Sequence, residues 1–254
     1  MKKAVAIPSS ALVNETDDKI KAYKVWQIAR ASAIFKIEMI YIYKDPRKNE
    51  TEYIKEILEY LETPQYLRKY LIPLKQSLRF AGLLPPLSIP SHRPKHLKVG
   101  ELREGVVRKV GPDGTSWVDI GLNALAAMKA SKPVGARVTV RVCSKKPLVV
   151  EESEPEEYWG YKVKKARLKD LVGKSVILSR RGERISTQNK EKLRKPVLLF
   201  GSPVEGVVEI AEKLGIKIPE SIPVINTIPD QGTETVRLEE AIISTLAVMN
   251  VMVW

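Results

Sequence analysis

Cysteine, histidine and long apolar runs are what this 254-residue sequence has least of. Cys143 is the single cysteine, which excludes an internal disulfide and a cysteine-built zinc site. It lies in Val138-Thr-Val-Arg-Val-Cys143, an alternating strand pattern, and reads as a small buried or half-buried side chain rather than a nucleophile. His92 and His96 are the only histidines, so no metal site is expected. No run of about 18 uncharged apolar residues occurs, which argues against a membrane-spanning helix. The opening Met1-Lys-Lys-Ala-Val-Ala-Ile-Pro8 is basic and then apolar for only four residues, so it reads as a first strand rather than a secretory leader; the expectation is a cytoplasmic protein. Gly-x-Gly-x-x-Gly is missing, against a dinucleotide-binding loop, and so are Gly-x-Ser-x-Gly and His-Glu-x-x-His. Gly173-Lys174-Ser175 lacks the upstream glycine of a phosphate loop (position 168 is Leu) and precedes a strand, not a helix.

Positive charge, by contrast, is abundant: the net charge is +13. Residues 162–195 carry thirteen basic and three acidic side chains, while residues 196–254 carry three and eight. A segment this lopsided points to a polyanion, because basic side chains release the counterions condensed on phosphates. Lys162, Lys164, Lys165, Arg167, Arg180, Arg181 and Arg184 are the candidate phosphate contacts, the alternative being a solvated lysine-rich face. Trp117, Tyr158, Trp159 and Tyr161 are candidate base-stacking or core residues.

Lys3–Ile7 reads as a buried strand, Thr16 as the N-cap of a helix running to about Phe35, and Glu38–Tyr43 as a second strand. That βαβ order predicts a parallel sheet. Helices follow over 51–61 and 65–71. Residues 83–94 hold four prolines and predict a domain boundary. Beyond it, short strands with glycine turns predict a small barrel over 93–161: a hairpin across Pro112-Asp-Gly114, then strands at 136–142 and 147–151. From Tyr161 the α/β texture returns, with strands at 175–178, 196–200 and 222–226, a helix over 203–214 with Pro203 at its first position, and a last helix with apolar spacing from Leu238 to Val253. The expected organisation is an α/β domain from residues 1–92 and 162–254, interrupted by a barrel at 93–161.

Two loops leave the C-terminal ends of predicted strands, where α/β sheets bind ligands. One is Leu199-Phe-Gly-Ser-Pro-Val-Glu-Gly206. The other is Ile225-Asn-Thr-Ile-Pro-Asp-Gln-Gly-Thr-Glu-Thr-Val-Arg237, in which Gly232 permits positive φ and Thr233 and Thr235 can cap the following helix.

The second loop, continued by Leu238-Glu-Glu-Ala-Ile242, resembles the C-terminal knot motif of SPOUT (α/β-knot) methyltransferases. Phe200-Gly-Ser-Pro203 resembles the preceding cofactor-loop motif, and Gln27-Ile-Ala-Arg-Ala-Ser-Ala-Ile-Phe35 the arginine-bearing first motif. Leu83-Leu-Pro-Pro-Leu87 and the central barrel resemble the archaeal and eukaryotic subgroup with an inserted OB-type domain. The resemblance covers nearly the whole chain. It implies a trefoil-knotted α/β fold, a homodimer with the site at the subunit interface, and an S-adenosylmethionine-dependent RNA methyltransferase releasing S-adenosylhomocysteine. It places the cofactor against Leu199, Gly201, Ser202, Asn226, Ile228, Gly232, Thr233, Thr235, Val236 and Arg237.

The resemblance implies RNA as the methyl acceptor, expected to be rRNA, with a uridine base nitrogen favoured over a ribose hydroxyl on the resemblance alone. Arg30 stands on an otherwise apolar helix, a costly position for a charge without a role. Because arginine does not deprotonate, Arg30 is read as stabilising negative charge on the target rather than as the base. Glu205 and Glu234 are the candidate base or sulfonium counter-charge, and Arg237 binds phosphate or the cofactor carboxylate, or forms a surface salt bridge. The alternatives are a non-catalytic RNA-binding protein keeping a relic knot, and an interaction protein whose dimer matters more than any ligand.

Overall fold

The computed structural model describes residues 3–92 and 96–254. Met1, Lys2 and residues 93–95 lie outside it, and with them the entry into the barrel expected at residue 93. In chain order the elements are β1 (Ala4–Pro8), α1 (Asp18–Ile34), β2 (Met39–Tyr43), α2 (Thr51–Glu62), α3 (Gln65–Leu71), β3 (Leu102–Val110), β4 (Ser116–Asp119), β5 (Ala126–Met128), β6 (Arg137–Lys145) and β7 (Leu148–Glu152). They continue with β8 (Lys162–Ala166), α4 (Leu168–Val172), β9 (Ser175–Arg184), β10 (Val197–Phe200), α5 (Val207–Lys213), β11 (Val224–Asn226) and α6 (Leu238–Met252). The chain divides into two units: Met1–Glu59 with Ser77–Pro85 and Tyr161–Trp254, and Tyr60–Gln76 with Pro86–Gly160.

The first unit is built on a six-stranded, all-parallel sheet in the order β11-β9-β10-β1-β2-β8. Its central strands, AVAIP in β1 and VLLF in β10, are buried at every position, as both faces of a parallel sheet are covered. The Tyr43 hydroxyl is fully buried and donates to the Phe200 carbonyl at 2.6 Å, tying the ends of β2 and β10. Burial pushes that phenol's pKa well above its ordinary value. Helix α1 is capped by Asp17, not Thr16: the Asp17 carboxylate accepts from Lys19 N at 2.6 Å and Ile20 N at 3.4 Å. An ionised cap suits the positive end of the helix dipole better than a hydroxyl.

One strand was not read from the sequence, and two further expectations are corrected. Residues 162–166 form an edge strand, β8; its lysines hide the strand pattern and suit an exposed edge. β9 runs on to Arg184 instead of ending at Leu178. The helix expected from Pro203 begins at Val207, because Ser202 N donates to the Glu205 carbonyl at 2.7 Å and Ser202 Oγ accepts from Glu205 N at 2.9 Å. Those bonds curl 202–205 into a turn in place of a first helical turn.

The second unit holds a closed five-stranded barrel in the order β3-β4-β5-β7-β6. Its apolar filling includes Val107, Val118, Ile120, Met128, Val140 and Val142. β5 escapes detection in the sequence because three residues carry no readable period. Cys143 is exposed, contrary to expectation: Val138, Val140 and Val142 point inward, and the register shift beside Ser144 leaves Cys143 outside. A buried polar knot ties the barrel to the α2–α3 corner of the same unit. The Glu104 carboxylate, 3% exposed, accepts from Arg137 Nε (2.5 Å), Thr139 Oγ1 (2.5 Å) and Trp159 Nε1 (2.6 Å). Arg137 also grips Glu62 through both terminal nitrogens, at 2.7 and 2.9 Å. Trp159 is therefore occupied in this network. Tyr161, in the first unit, is 3% exposed and bonded to the Leu58 carbonyl.

Candidate active site

A cavity of about 310 Å³ opens in the first unit at the C-terminal ends of β9, β10 and β11. Three walls line it: β9 at and just beyond its last partner on β10 (Leu178–Arg181), the end of β10 with the turn after it (Phe200–Gly206) and the end of β11 with the loop after it (Asn226–Val236), with α6 residues Leu238, Ala241 and Thr245 behind.

The turn after β10 is tight enough to need its glycine. A Cβ on Gly201 would stand 2.6 Å from the Glu205 carbonyl oxygen and 2.8 Å from Gly206 Cα. Glu205 is held from two sides: the same carboxylate oxygen bonds Arg47 and Lys213. Lys213 first, and Arg47 with it, lower the Glu205 pKa below the usual carboxylate range. Arg47 is itself positioned, since its N–H donates to Asp45 at 2.9 Å and the buried Asp45 takes the Ser10 hydroxyl. The other Glu205 oxygen, Oε2, is buried and has no hydrogen-bond partner among the described residues. An ionised carboxylate whose second oxygen is shielded from water and unpaired, on a cavity wall, is costly unless a ligand donor or cation meets that oxygen.

The loop after β11 is stiffened by its own side chains. Asn226 Oδ1 accepts from Ile228 N (2.9 Å), and Asn226 Nδ2 donates to the Arg180 carbonyl (3.1 Å). Thr227 and Thr245 share a buried hydroxyl bond of 2.7 Å. Gln231 Nε2 donates to the Thr233 and Glu234 carbonyls. The left-handed residue here is Asp230 (φ 61°), not Gly232. Aspartate tolerates that conformation through its short polar side chain, and Asp230 pairs with Arg184. Neither Thr233 nor Thr235 caps α6; Arg237 is its N-cap, and the Glu240 carboxylate accepts the Arg237 N–H at 2.9 Å.

β9 joins this wall through an irregularity. It pairs Ile177 with Val224, then skips to Glu183 with Ile225. At Gly182 a Cβ would come within 2.7 Å of the Ile225 backbone, so the missing side chain lets β11 lie against this stretch.

Of the residues singled out from sequence, Gly201, Ser202, Glu205, Asn226, Ile228, Thr235 and Val236 line the cavity together. Arg180 and Arg181, read from sequence as phosphate contacts, line it too; Arg180 donates to the Glu234 carbonyl at 3.2 Å and Arg181 pairs with Glu209 at 2.7 Å. Leu199 is buried within β10. Gly232, Thr233, Glu234 and Arg237 are exposed and stand outside the lining. Arg30 is half-buried on α1. Lys162, Lys164 and Lys165 lie on the edge strand, Lys165 paired with Glu52, and Arg167 pairs with Asp170 at 2.8 Å. Sequence reasoning missed Leu178, Leu238, Ala241 and Thr245, which read as ordinary strand-end and helix-face residues, and it assigned no contact to Phe200, Thr227 and Gln231 within the two loops it singled out. No cluster of three or more potential metal ligands occurs among the described residues, and none of their helices is long and apolar enough to cross a membrane.

A cavity of this size, lined by apolar side chains and two loops at the carboxyl ends of parallel strands, stands where α/β sheets bind ligands, and the first unit is of the parallel α/β class. The match to known families is more specific: residues 2–249 match the model of the family described as "Putative RNA methyltransferase", and the chain belongs to that family of enzymes. A 28S rRNA (uridine-N(3))-methyltransferase of Drosophila melanogaster is 32% identical over 298 residues, covering 97% of this chain and 61% of that protein. The human protein of the same description is 31% identical, covering 97% of this chain and 77% of that protein. An uncharacterized protein of Halobacterium salinarum is 32% identical, with 97% and 98% covered. The chain thus spans less than two thirds of the fly relative's length.

Proposed function

We propose that this chain methylates rRNA at a uridine base nitrogen, using S-adenosylmethionine held in the β9–β10–β11 cavity, as a SPOUT-type knotted homodimer. The observation that carries this reading is the cavity itself: two stiffened loops meet at the carboxyl ends of parallel strands, with the unsatisfied Glu205 Oε2 on the wall. The residues present fit that cofactor. Leu178, Phe200 and Leu238 offer apolar surface to an adenine, the Gly201 turn allows close backbone approach, and Glu205 offers a negative charge to a cationic ligand. When bound, the group supplies an electrophilic methyl on a sulfonium.

Gly201, Ser202, Asn226, Ile228, Thr235 and Val236 hold the cofactor, with Leu199 supporting the turn from beneath and Gly232, Thr233 and Arg237 at the loop's outer end. Glu205, kept ionised by Arg47 and Lys213, acts as fixed counter-charge; its lowered proton affinity makes it a poor base. Glu234, exposed and in no ion pair among the described residues, is the better candidate to take the uridine proton. Arg30, from the partner protomer, stabilises the negative charge left on the base. A homodimer is supported by the exposed apolar faces of the mutually packed helices α1 and α6: Ile20, Tyr23 and Ile34 share a face with Arg30, and Ile243 and Val251 are exposed on α6. The knot reading takes its support from the skip in β9–β11 pairing and the Asn226–Arg180 bond, which hold Arg180, Glu183 and Arg184 beside β11. The barrel fits an OB-type RNA-binding module.

The test is transfer of a labelled methyl from S-adenosylmethionine into unmodified rRNA, with Arg30→Ala alongside. Label that falls sharply in the variant supports both enzyme and role. Undiminished label discards the Arg30 role, and no label with no cofactor binding overturns the reading in favour of a non-catalytic RNA-binding protein.

A further inference from the structure

We infer that the barrel unit carries a single-stranded RNA subsite built on Tyr70, Arg108, Lys109 and Trp117. The inference rests on the proposed function in taking RNA as the substrate, and it places the RNA on a different surface from the one the charge count selects. In the 162–195 stretch many of the cations are already engaged: Lys165 with Glu52, Arg167 with Asp170, Arg181 with Glu209, Arg184 with Asp230, Lys192 with Glu183 and Arg194 with Glu191. An incoming phosphate there competes with a carboxylate for each of them.

On the barrel the arrangement is different. Among the described residues, neither Arg108 nor Lys109 forms an ion pair; each lies over an aromatic ring instead. The Arg108 guanidinium carbon is 3.6 Å from the centre of the Tyr70 ring, and Lys109 Nζ is 5.0 Å from that of Trp117. Lys69 adds a third cation 4.6 Å from Tyr70. The Tyr70 hydroxyl first, and Asp119 through space, favour the charged form of Lys69.

The backbone explains why these cations stand together. β3 pairs Val107 with Val118 and Lys109 with Trp117, leaving Arg108 bulged out of register. Strict alternation would turn one of two neighbouring side chains inward, but across this bulge Arg108, Lys109 and Val110 are all exposed. A bulge is a common means of re-aiming side chains toward a ligand. Tyrosine and tryptophan offer flat faces to bases, the guanidinium plane extends a stack, and the lysines meet the phosphates between them. Single-stranded RNA has the free base faces this pattern needs, whereas a duplex hides them.

The test uses the full chain and fluorescence anisotropy with a short unstructured RNA oligonucleotide, comparing Tyr70→Ala, Arg108→Gln/Lys109→Gln and a Lys165→Gln/Lys192→Gln control. Tyr70→Ala should weaken binding roughly 5- to 150-fold. The Arg108/Lys109 pair should reduce the slope of log affinity against log salt by about 1.4. The control should change affinity less than either, and unfolding curves should show all variants folded. Wild-type affinity in the folded patch variants, a greater loss in the control, or no RNA binding by the wild type overturns the inference, as does displacement of RNA by polyglutamate at equal charge, which would mark an acidic-peptide site. Methyl transfer into rRNA separates the two readings. Transfer with an irrelevant patch leaves the enzyme and removes the subsite; patch-dependent binding without transfer leaves the subsite and removes the enzyme.

Discussion

Gly201 and Glu205 face each other across one turn so closely that a single added methyl on Gly201 would lie 2.6 Å from the Glu205 carbonyl oxygen. Backbone cannot yield there as a flexible side chain would. Gly201→Ala should therefore open the turn, destabilise the first unit by about 1–3 kcal/mol, and weaken S-adenosylhomocysteine binding by on the order of tenfold or more. Calorimetric titration reads the affinity; an unchanged dissociation constant would move the cofactor away from this turn.

Glu205 should keep its charge as the solution is acidified. Its folded pKa lies below the ordinary value because Lys213 and Arg47 bond it, so its contribution is complete above the usual carboxylate range and disappears only as pH falls through the lowered value. Glu205→Gln should raise the cofactor dissociation constant on the order of tenfold at neutral pH. Arg47→Ala should keep binding at neutral pH but shift its acid loss to higher pH. An acid limb unmoved by Arg47→Ala would sever the link between the two residues.

His92 gives the barrel unit its own acid sensitivity. Burial first, then Arg68 and Arg137, hold its pKa below 6.5, against the Glu62 carbonyl 2.7 Å away and Glu104, which raise it. The unfolded chain then binds the proton more readily than the folded one, so stability is full above about 6.5 and declines as pH falls from there through the lowered folded value. Denaturant midpoints measured across that window should fall for the wild type and flatten for His92→Gln.

Arg137 bridges Glu62 and Glu104 inside the second unit. Arg137→Met should leave the Glu104 carboxylate, 3% exposed, without its cation, at a cost of about 3 kcal/mol. Adding Glu104→Gln should recover part of that loss, since the stranded charge goes with it. Chemical unfolding of the single and double variants reads both.

Val251 is 84% exposed and Ile243 42% exposed on the outer face of α6, and Ile20 is 48% exposed on α1. In the proposed homodimer they are covered. Ile20→Glu combined with Ile243→Glu should yield a monomer by light scattering and abolish methyl transfer, while each protomer stays folded. A monomeric wild type would remove the partner's Arg30 from the mechanism.

Much of the architecture was legible in the residues. The uninterrupted apolar runs Ala4–Ile7 and Val197–Phe200 read as strands and are strands buried at every position, and α3 spans Gln65–Leu71 as expected. The two loops that line the cavity were marked by Gly201 and by the polar stretch between Asn226 and Arg237. Legibility failed where a local rule met a competing interaction. Pro203 suits a helix start, but the Ser202 hydroxyl captured the turn; Gly232 suits positive φ, but Asp230 took it.

What the sequence by itself determined is the alternation of buried strands and amphipathic helices, the barrel texture after the proline-rich break, and the total charge. These depend on short-range periodicity and composition. Only the tertiary structure decided which cations remain available. Lys165 and Glu52, or Arg181 and Glu209, are far apart in the chain and neutralise each other through folding, whereas a one-residue bulge sets Arg108 and Lys109 beside aromatic rings. The physical reason is that electrostatic attraction acts through distance in space, and a linear count of charge contains none.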